Sequence, residues 1–284
     1  MTVREPVVAV TGASGYLGSR ICERFRSLGW RVVRLTRSPR PGDASERFYD
    51  LGGRPAFTLL TSVDVLVHAA YDQRLTRRAD IWRVNVDGTQ ELLAAANEAG
   101  VGRVIVLSSM SAYEGTAQLY GQAKLDIEQA TLAAGGVVVR PGLVYGDHPG
   151  GMVGALRRMT RLPLVPLVAS QSALYPVHED DITSAVVALA SVEVPPSSPV
   201  CVARPDPVPF RSVLEALAAG DGRTCHFVAV PWRPIYTFLR LAEVLHLPLP
   251  FRADSLLGLV QPASSVAGAE EITRLGVELR KFAV

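Results

Sequence analysis

Tyr120-Gly121-Gln122-Ala123-Lys124 sets a phenol and an ammonium four residues apart at the head of a stretch with helical period, so one helix face presents both. A free phenol has a pKa near 10 and exchanges protons reluctantly at neutral pH. Bringing it there takes roughly 4 kcal/mol of preferential phenolate stabilisation, much of which a neighbouring ammonium supplies. A hydroxyl that polarises a substrate oxygen would complete the set, and Ser108 and Ser109, after the β-branched run Arg103 to Leu107, are the candidates. Upstream, Thr11-Gly12-Ala13-Ser14-Gly15-Tyr16-Leu17-Gly18 links the run Val7 to Val10 to a helical stretch. In that order Gly12 permits a tight turn, Gly15 lets backbone approach a pyrophosphate, and Gly18 lets helix and strand pack closely. The helix N-terminus then faces the phosphates.

These groups need a scaffold that brings strand ends together. Over the first 145 residues short β-branched runs (Val7 to Val10, Arg31 to Leu35, Asp64 to His68, Arg103 to Leu107, Val137 to Val139) alternate with stretches of helical period. That rhythm predicts α/β architecture, a Rossmann-type parallel sheet with helices on both faces. Leu17, Ile21, Phe25 and Leu28 mark one helix ending at Gly29; Ile81, Val84, Leu92, Ala96 and Ala99 mark another before Gly100. The rhythm breaks at residues 146–151, and Pro-rich joints follow at 195–199 and 205–209. The expected division is a dinucleotide-binding domain over 1–145 and a smaller C-terminal substrate-binding region over 146–284, parts of which return to the first domain.

At 284 residues the chain can bury a sizeable core, and its 29 Lys plus Arg nearly balance 27 Asp plus Glu, which argues against nucleic acid as a partner. Cys22, Cys201 and Cys225 are odd in number and far apart, which argues against a disulfide framework or a zinc site. His68, His148, His226 and His246 show no metal spacing. No stretch reads as a signal peptide or membrane span, so the expectation is a cytoplasmic protein with a small-molecule substrate and no metal.

The GxxGxxG spacing with its preceding threonine resembles the short-chain dehydrogenase/reductase superfamily. Asp64-Val65-Leu66-Val67-His68-Ala69-Ala70 resembles that superfamily's fourth-strand segment, and Asn85-Val86-Asp87-Gly88-Thr89 the helix motif of its extended branch. Arg140-Pro141-Gly142-Leu143-Val144-Tyr145-Gly146 and Tyr175-Pro176-Val177-His178-Glu179-Asp180-Asp181 also resemble extended-branch segments, familiar from sugar-nucleotide epimerases, dehydratases and reductases. The likeness covers roughly residues 5 to 190.

The resemblance implies that Tyr120 exchanges the substrate proton while Lys124 also grips the nicotinamide ribose. Counting back from Tyr113, which aligns with the tyrosine closing this segment, makes Ser109 the catalytic hydroxyl, with Ser108 as the fallback. It further implies cofactor contacts from Gly12, Ser14, Gly15, Tyr16, Leu17 and Gly18, from Asp50 and Leu51 at the adenine, and from His68, Ala69, Ala70, Asn85, Ser108, Pro141, Gly142, Leu143 and Val144. Ser109, Met110, Ser111 and Tyr145 would face substrate. Two departures stand out. Only about ten residues separate Ser109 from Tyr120, where extended enzymes insert a longer loop, so the pocket should be differently walled. Met110-Ser111 replaces the acidic pair of sugar-nucleotide dehydratases, which disfavours dehydration.

After the second strand stands Leu35-Thr36-Arg37-Ser38, with no acid to take the ribose 2′-OH of NAD. The expectation is NADP, its 2′-phosphate held by Arg37 with help from Thr36, Ser38 or Arg40. One charged hydrogen bond, about 1.5–3 kcal/mol, gives roughly 10- to 150-fold preference. The alternative is a solvated Arg37 stacking on adenine, with NAD bound. Arg157, Arg158 and Arg161 are either a diphosphate grip for a nucleotide-activated sugar or a solvated basic face. His178 to Asp181 reads as an ordinary helix start. The apolar stretch 232–260 either covers the substrate cleft, packs a partner subunit in a homodimer, or admits an apolar substrate such as a polyketide or terpenoid ketone. The reading is an NADP-dependent oxidoreductase acting on a carbonyl or secondary alcohol. Its rivals are a sugar-nucleotide epimerase with retained NAD and a non-catalytic cofactor-binding regulator or assembly subunit, which usually lacks the tyrosine or lysine present here.

Overall fold

Val7, Val8, Ala9 and Val10 form an unbroken apolar run, the pattern of a strand covered on both faces, and β1 (Val7–Thr11) is buried throughout. The computed structural model describes residues 4–56, 58–147, 150–245, 247, 249, 251–263 and 265–283. Around β1 it sets β2 (Arg31–Thr36), β3 (Glu46–Phe48), β4 (Val65–His68), β5 (Arg103–Leu107), β6 (Val137–Pro141) and β11 (Val200–Val202). Their order is β11-β6-β5-β4-β1-β2-β3, every neighbour parallel. The chain runs from β1 outward to β3 and then crosses back to β4, so a crevice opens beyond the carboxyl ends of β1 and β4, where Rossmann folds bind ligands.

Helices α1 (Tyr16–Ser27), α2 (Arg78–Ile81), α3 (Gly88–Glu98) and α4 (Leu119–Ala133) cover the sheet. Ile21 and Phe25 bury the inner face of α1 as the spacing predicts, whereas Leu28 follows the helix end and is exposed. The single helix expected from Ile81 to Ala99 is instead α2 and α3 joined by a π-helical stretch over Trp82–Asp87. Asn85 sits in the widened turn: its carbonyl accepts the Thr89 hydroxyl at 2.6 Å, and its Oδ1 accepts the Asp72 amide at 2.7 Å. Gly88 then meets the backbone of Gly52 so closely that a Cβ there would lie 2.5 Å from the Gly52 nitrogen.

Beyond β6 come β7 (Leu143–Tyr145), α5 (Gly151–Met159), β8 (Val165–Leu167), β9 (Ala173–Leu174) and β10 (Pro176–His178), then α6 (Glu179–Ser191). The remainder is β12 (Val208–Pro209), α7 (Phe210–Gly220), β13 (Phe227–Ala229), α8 (Trp232–Val244), α9 (Ala253–Val260) and α10 (Ala269–Arg274). A second core gathers Leu156, Phe210, Val213, Leu214, Leu239 and Leu256. The Pro-rich joints flank β11, so the chain returns to the main sheet there, and Ile182, Val186, Leu189 and Ile272 bring α6 and α10 into the first core beside Ile21 and Phe25. Among the described residues no helix is long and apolar enough to cross a membrane, and no group of His, Cys, Asp and Glu could hold a metal ion. His148 and His246 lie outside the described residues.

Candidate active site

A cleft of about 1050 Å3 runs from the phosphate loop past Tyr120 to α8 and α9. Its floor is glycine for steric reasons. Gly12 has φ +64°, and a Cβ there would lie 3.0 Å from the backbone of Ala69 and Ala70; a Cβ on Gly18 would lie 2.1 Å from the Gly12 oxygen. The first turn of α1 carries no acidic residue and no side-chain cap, so its free N–H groups face the cleft, the donor set a pyrophosphate requires. Thr11 fixes the loop opposite, its Oγ1 accepting the amides of Ala69 and Ala70 at 3.0 Å each.

At the ribose end Thr36 and Arg37 line the cleft, with Asp50, Leu51 and Arg74 nearby. Arg37 is exposed, and among the described residues it has no hydrogen-bond or salt-bridge partner. Arg40 pairs with Asp43 at 2.9 Å and Glu46 at 3.2 Å and is not part of the lining. Ser38 donates its amide to Thr36 Oγ1 at 3.3 Å and is not part of the lining. Arg74, across the cleft, is paired with Asp72 at 2.7 Å.

The carboxyl end of β5 and the first turns of α4 bring Ser109, Tyr120 and Lys124 together. Burial, with the nearby Asp254 carboxylate adding to it, pushes Tyr120 up to about 12, against the neighbouring Ser109 hydroxyl, which eases ionisation of the phenol. Lys124 is 4% exposed and donates from Nζ to the Leu107 carbonyl at 2.7 Å; burial pushes its pKa down to about 8. Its ammonium lies 4.7 Å from the Tyr71 ring centre and 5.8 Å from that of Tyr120, and the two rings meet edge to face. Ser108 points elsewhere: its hydroxyl donates to Glu128, which Arg140 clamps at 2.8 and 2.5 Å. The geometry therefore favours Ser109 over Ser108. The short loop before Tyr120 fits because Gly121 lets the Ser111 carbonyl come close; a Cβ there would lie 2.3 Å from it.

Ala69, Ala70, Ser108, Met110, Ser111, Pro141, Gly142, Leu143 and Val144 also line the cleft, together with Ser14, Gly15, Tyr16 and Leu17 of the phosphate loop. Other expected contacts lie elsewhere. His68 and Asn85 are interior scaffold. Thr89 donates its proton to the Asn85 carbonyl, so its oxygen accepts from His68 Nε2 at 3.0 Å; that leaves Nδ1 to accept from Thr11 at 2.8 Å. Burial, with Lys124 adding to it, pushes the His68 pKa down to about 3, so the ring is neutral. Tyr145 is buried against Phe282 and donates to the Lys281 carbonyl at 3.0 Å, away from substrate. Arg157 binds Asp221 at 2.9 Å, Arg158 and Arg161 are exposed, and none of the three lines the cleft. His178 caps α6 as expected of a helix start, accepting the Asp180 amide at 3.2 Å. Gly146 packs against Glu179 and Gly150 against the Tyr16 ring.

Sequence reasoning missed Tyr71, Gln118 and Asp254. Asp254 accepts the amides of Leu119 and Tyr120 at 2.8 and 3.0 Å, capping α4 from α9. The one hint was a carboxylate inside the apolar stretch 251–260.

A family model described as the NAD dependent epimerase/dehydratase family matches residues 8–195. An uncharacterized protein of Mycobacterium tuberculosis is 31% identical over 244 residues, 84% of this chain but 26% of that protein. The ceramide reductase of Caulobacter vibrioides is 30% identical over 197 residues, 66% of this chain and 62% of that enzyme. The chain thus spans about a quarter of the mycobacterial relative. Among solved structures, MoeE5 in complex with UDP-glucuronic acid and NAD aligns with TM-score 0.67 and 25% identity over 95% of this chain and 99% of that one.

Proposed function

The chain belongs to the NAD dependent epimerase/dehydratase family, the extended short-chain dehydrogenase/reductases, and on that premise we propose that it is a reductase of a small-molecule carbonyl, working reversibly on the secondary alcohol. The observation that carries this reading is the gathering of Ser109, Tyr120 and Lys124 in one cleft at the carboxyl edge of the sheet, with Lys124 Nζ 5.8 Å from the Tyr120 ring centre. When bound, the nicotinamide cofactor supplies the hydride to the substrate carbon. The phosphate loop residues Gly12, Ser14, Gly15 and Gly18 with the α1 N-terminus hold the pyrophosphate, and Lys124 holds the nicotinamide ribose.

Ser109 Oγ anchors and polarises the substrate oxygen, and Tyr120 Oη gives it a proton as the carbon receives hydride, so the carbonyl becomes a neutral alcohol. With its pKa pushed up to about 12, Tyr120 is protonated throughout the physiological range, the state a donor needs. The Lys124 ammonium, close to Tyr120, stabilises the phenolate left behind. Because that ammonium titrates at about 8, turnover should fall as pH rises through that value.

NADP is the proposed cofactor, on the ground that Arg37 lines the ribose end and, among the described residues, has no hydrogen-bond or salt-bridge partner. The test is titration of nucleotide-free protein with NADPH and NADH by tryptophan fluorescence. At least tenfold tighter binding of NADPH is expected, erased in Arg37→Ala. Equal binding, or NAD retained through purification, would overturn the preference and favour a second reading, epimerisation of a sugar nucleotide, which the complex of MoeE5 with UDP-glucuronic acid and NAD supports.

A further inference from the structure

The far end of the cleft has apolar walls, among them Met152, Leu174, Tyr236, Phe251, Leu257 and Leu259. Two arginines reach it, and Glu243 engages both, Arg240 at 3.2 Å and Arg252 at 3.9 Å; Arg252 also donates to the Leu75 carbonyl at 2.6 Å. With Asp254 the wall carries two cations and two carboxylates, so it is formally neutral. A nucleoside diphosphate would have to draw an arginine from Glu243, whose side chain is only 14% exposed, and leave that carboxylate without its partner. The arginines of α5 are no substitute, because they lie outside the lining.

Against this neutral, apolar background one polar group stands out. Gln118 lines the cleft two residues before Tyr120 and is 4% exposed. Its Nε2 is shut from solvent, and among the described residues it meets no acceptor. A buried donor left unmet is a standing cost that an arriving oxygen removes. Gly258 leaves room for the amide; a Cβ there would lie 2.9 Å from Gln118 Oε1.

We infer that this end of the cleft takes an uncharged, apolar carbonyl compound carrying a second oxygen, separate from the one held by Ser109 and Tyr120, which accepts a hydrogen bond from Gln118 Nε2. The inference rests on the carbonyl-reductase reading and gives it a substrate class. A β-keto ester has the required pair of oxygens; a simple alkyl ketone has only the first.

The experiment is calorimetry on protein saturated with the oxidised form of whichever nicotinamide cofactor it binds, a state that cannot reduce a ketone. The probes are ethyl 3-oxooctanoate, 2-nonanone and UDP. The β-keto ester should bind at least tenfold tighter than 2-nonanone, UDP should give no saturable heat, and Gln118→Leu should erase the difference between the two ketones. Gln118→Glu, which replaces the donor by a carboxylate, should weaken the β-keto ester further while leaving 2-nonanone unchanged, so the result does not hang on one variant. Tighter binding of UDP than of either ketone, failure of both ketones to bind, or a β-keto ester preference that survives in both variants overturns the inference. The expected binding pattern, with no NADPH or NADH oxidation on adding the β-keto ester, would sink the reductase reading while the pocket assignment stood.

Discussion

At the nucleotide end of the cleft the shaping residues are neighbours in sequence: Gly12, Gly15 and Gly18 span seven positions and act through backbone alone. At the substrate end the shaping contacts join residues 134 to 177 positions apart, Tyr120 to Asp254, Leu119 to Asp254, Tyr113 to Gln261 and Leu75 to Arg252. The first end is set mainly by a local motif. The second exists only once α8 and α9 have docked, so its chemistry belongs to this chain and not to the motif. Specificity is accordingly expected to reside in side chains such as Gln118, Glu243 and Asp254, and cofactor binding in the loop.

The strongest test of that division is Tyr120→Phe. Loss of the proton donor should lower kcat by about 10²- to 10⁴-fold while nucleotide affinity stays within twofold, measured by fluorescence titration beside turnover of any carbonyl the enzyme reduces. A kcat within tenfold of the parent would mean that another group donates the proton. Next in size is Gly18→Ala, whose Cβ would meet the Gly12 oxygen at 2.1 Å and the Gly12 carbonyl carbon at 2.7 Å, both backbone. Overpacking of this kind costs about 1–3 kcal/mol, and here it should also abolish cofactor binding. Gly29→Ala is the control. Gly29 has φ +78° with nothing within 4 Å, so alanine there costs about 1 kcal/mol of backbone strain and should leave cofactor binding alone.

The same division explains what could be read from the sequence. The parallel sheet, the five strands of the first 145 residues and the approach of Tyr120 and Lys124 on one helix follow from local period and spacing. His68 and Asn85 were expected at the cofactor because their segments carry a family motif. A motif gives residue types, not side-chain directions, and both turn inward to tie β1, β4 and the π-helical turn together. Tyr145 and Arg157 are diverted by partners far along the chain, Lys281 and Asp221, which no local window contains. The π-helical turn at Trp82–Asp87 is likewise a tertiary product, since hydrophobic period alone predicts one continuous helix there.

The inward-facing His68 gives a third test, on the scaffold beneath the nucleotide end. Its ring is neutral in the folded protein, with a pKa of about 3 against an ordinary value of 6.5, so between those values the unfolded chain binds one more proton than the folded one. Stability therefore rises with pH across that window and is lost as pH falls, by up to about 1.4 kcal/mol per pH unit for one proton. Thermal melts from pH 6.5 down to 5, above the ordinary carboxylate range, should show Tm falling steadily. A flat Tm over that interval would mean that the Thr11–His68–Thr89 network admits a charged ring.

The smallest expected effect bears most directly on the comparison, because Asp254 belongs to the substrate end yet holds the first two amides of α4, the helix that carries Tyr120 and Lys124. Asp254→Ala strips both amides of their acceptor, a cap loss of about 0.5–2 kcal/mol. Asp254→Asn keeps one acceptor oxygen and should recover about half of that stability. If α9 only walls the pocket, both variants will lower Tm and raise KM for the carbonyl, with kcat unchanged. If Asp254 positions the catalytic helix, kcat will fall several-fold in Asp254→Ala and recover in Asp254→Asn, while KM for the cofactor stays constant. The second pattern is expected, because the Tyr120 amide bonds directly to this carboxylate and Arg252, two residues earlier, anchors the same segment to the Leu75 carbonyl. Docking of the specificity region would then complete the catalytic set, and the two ends of the cleft would be energetically one site.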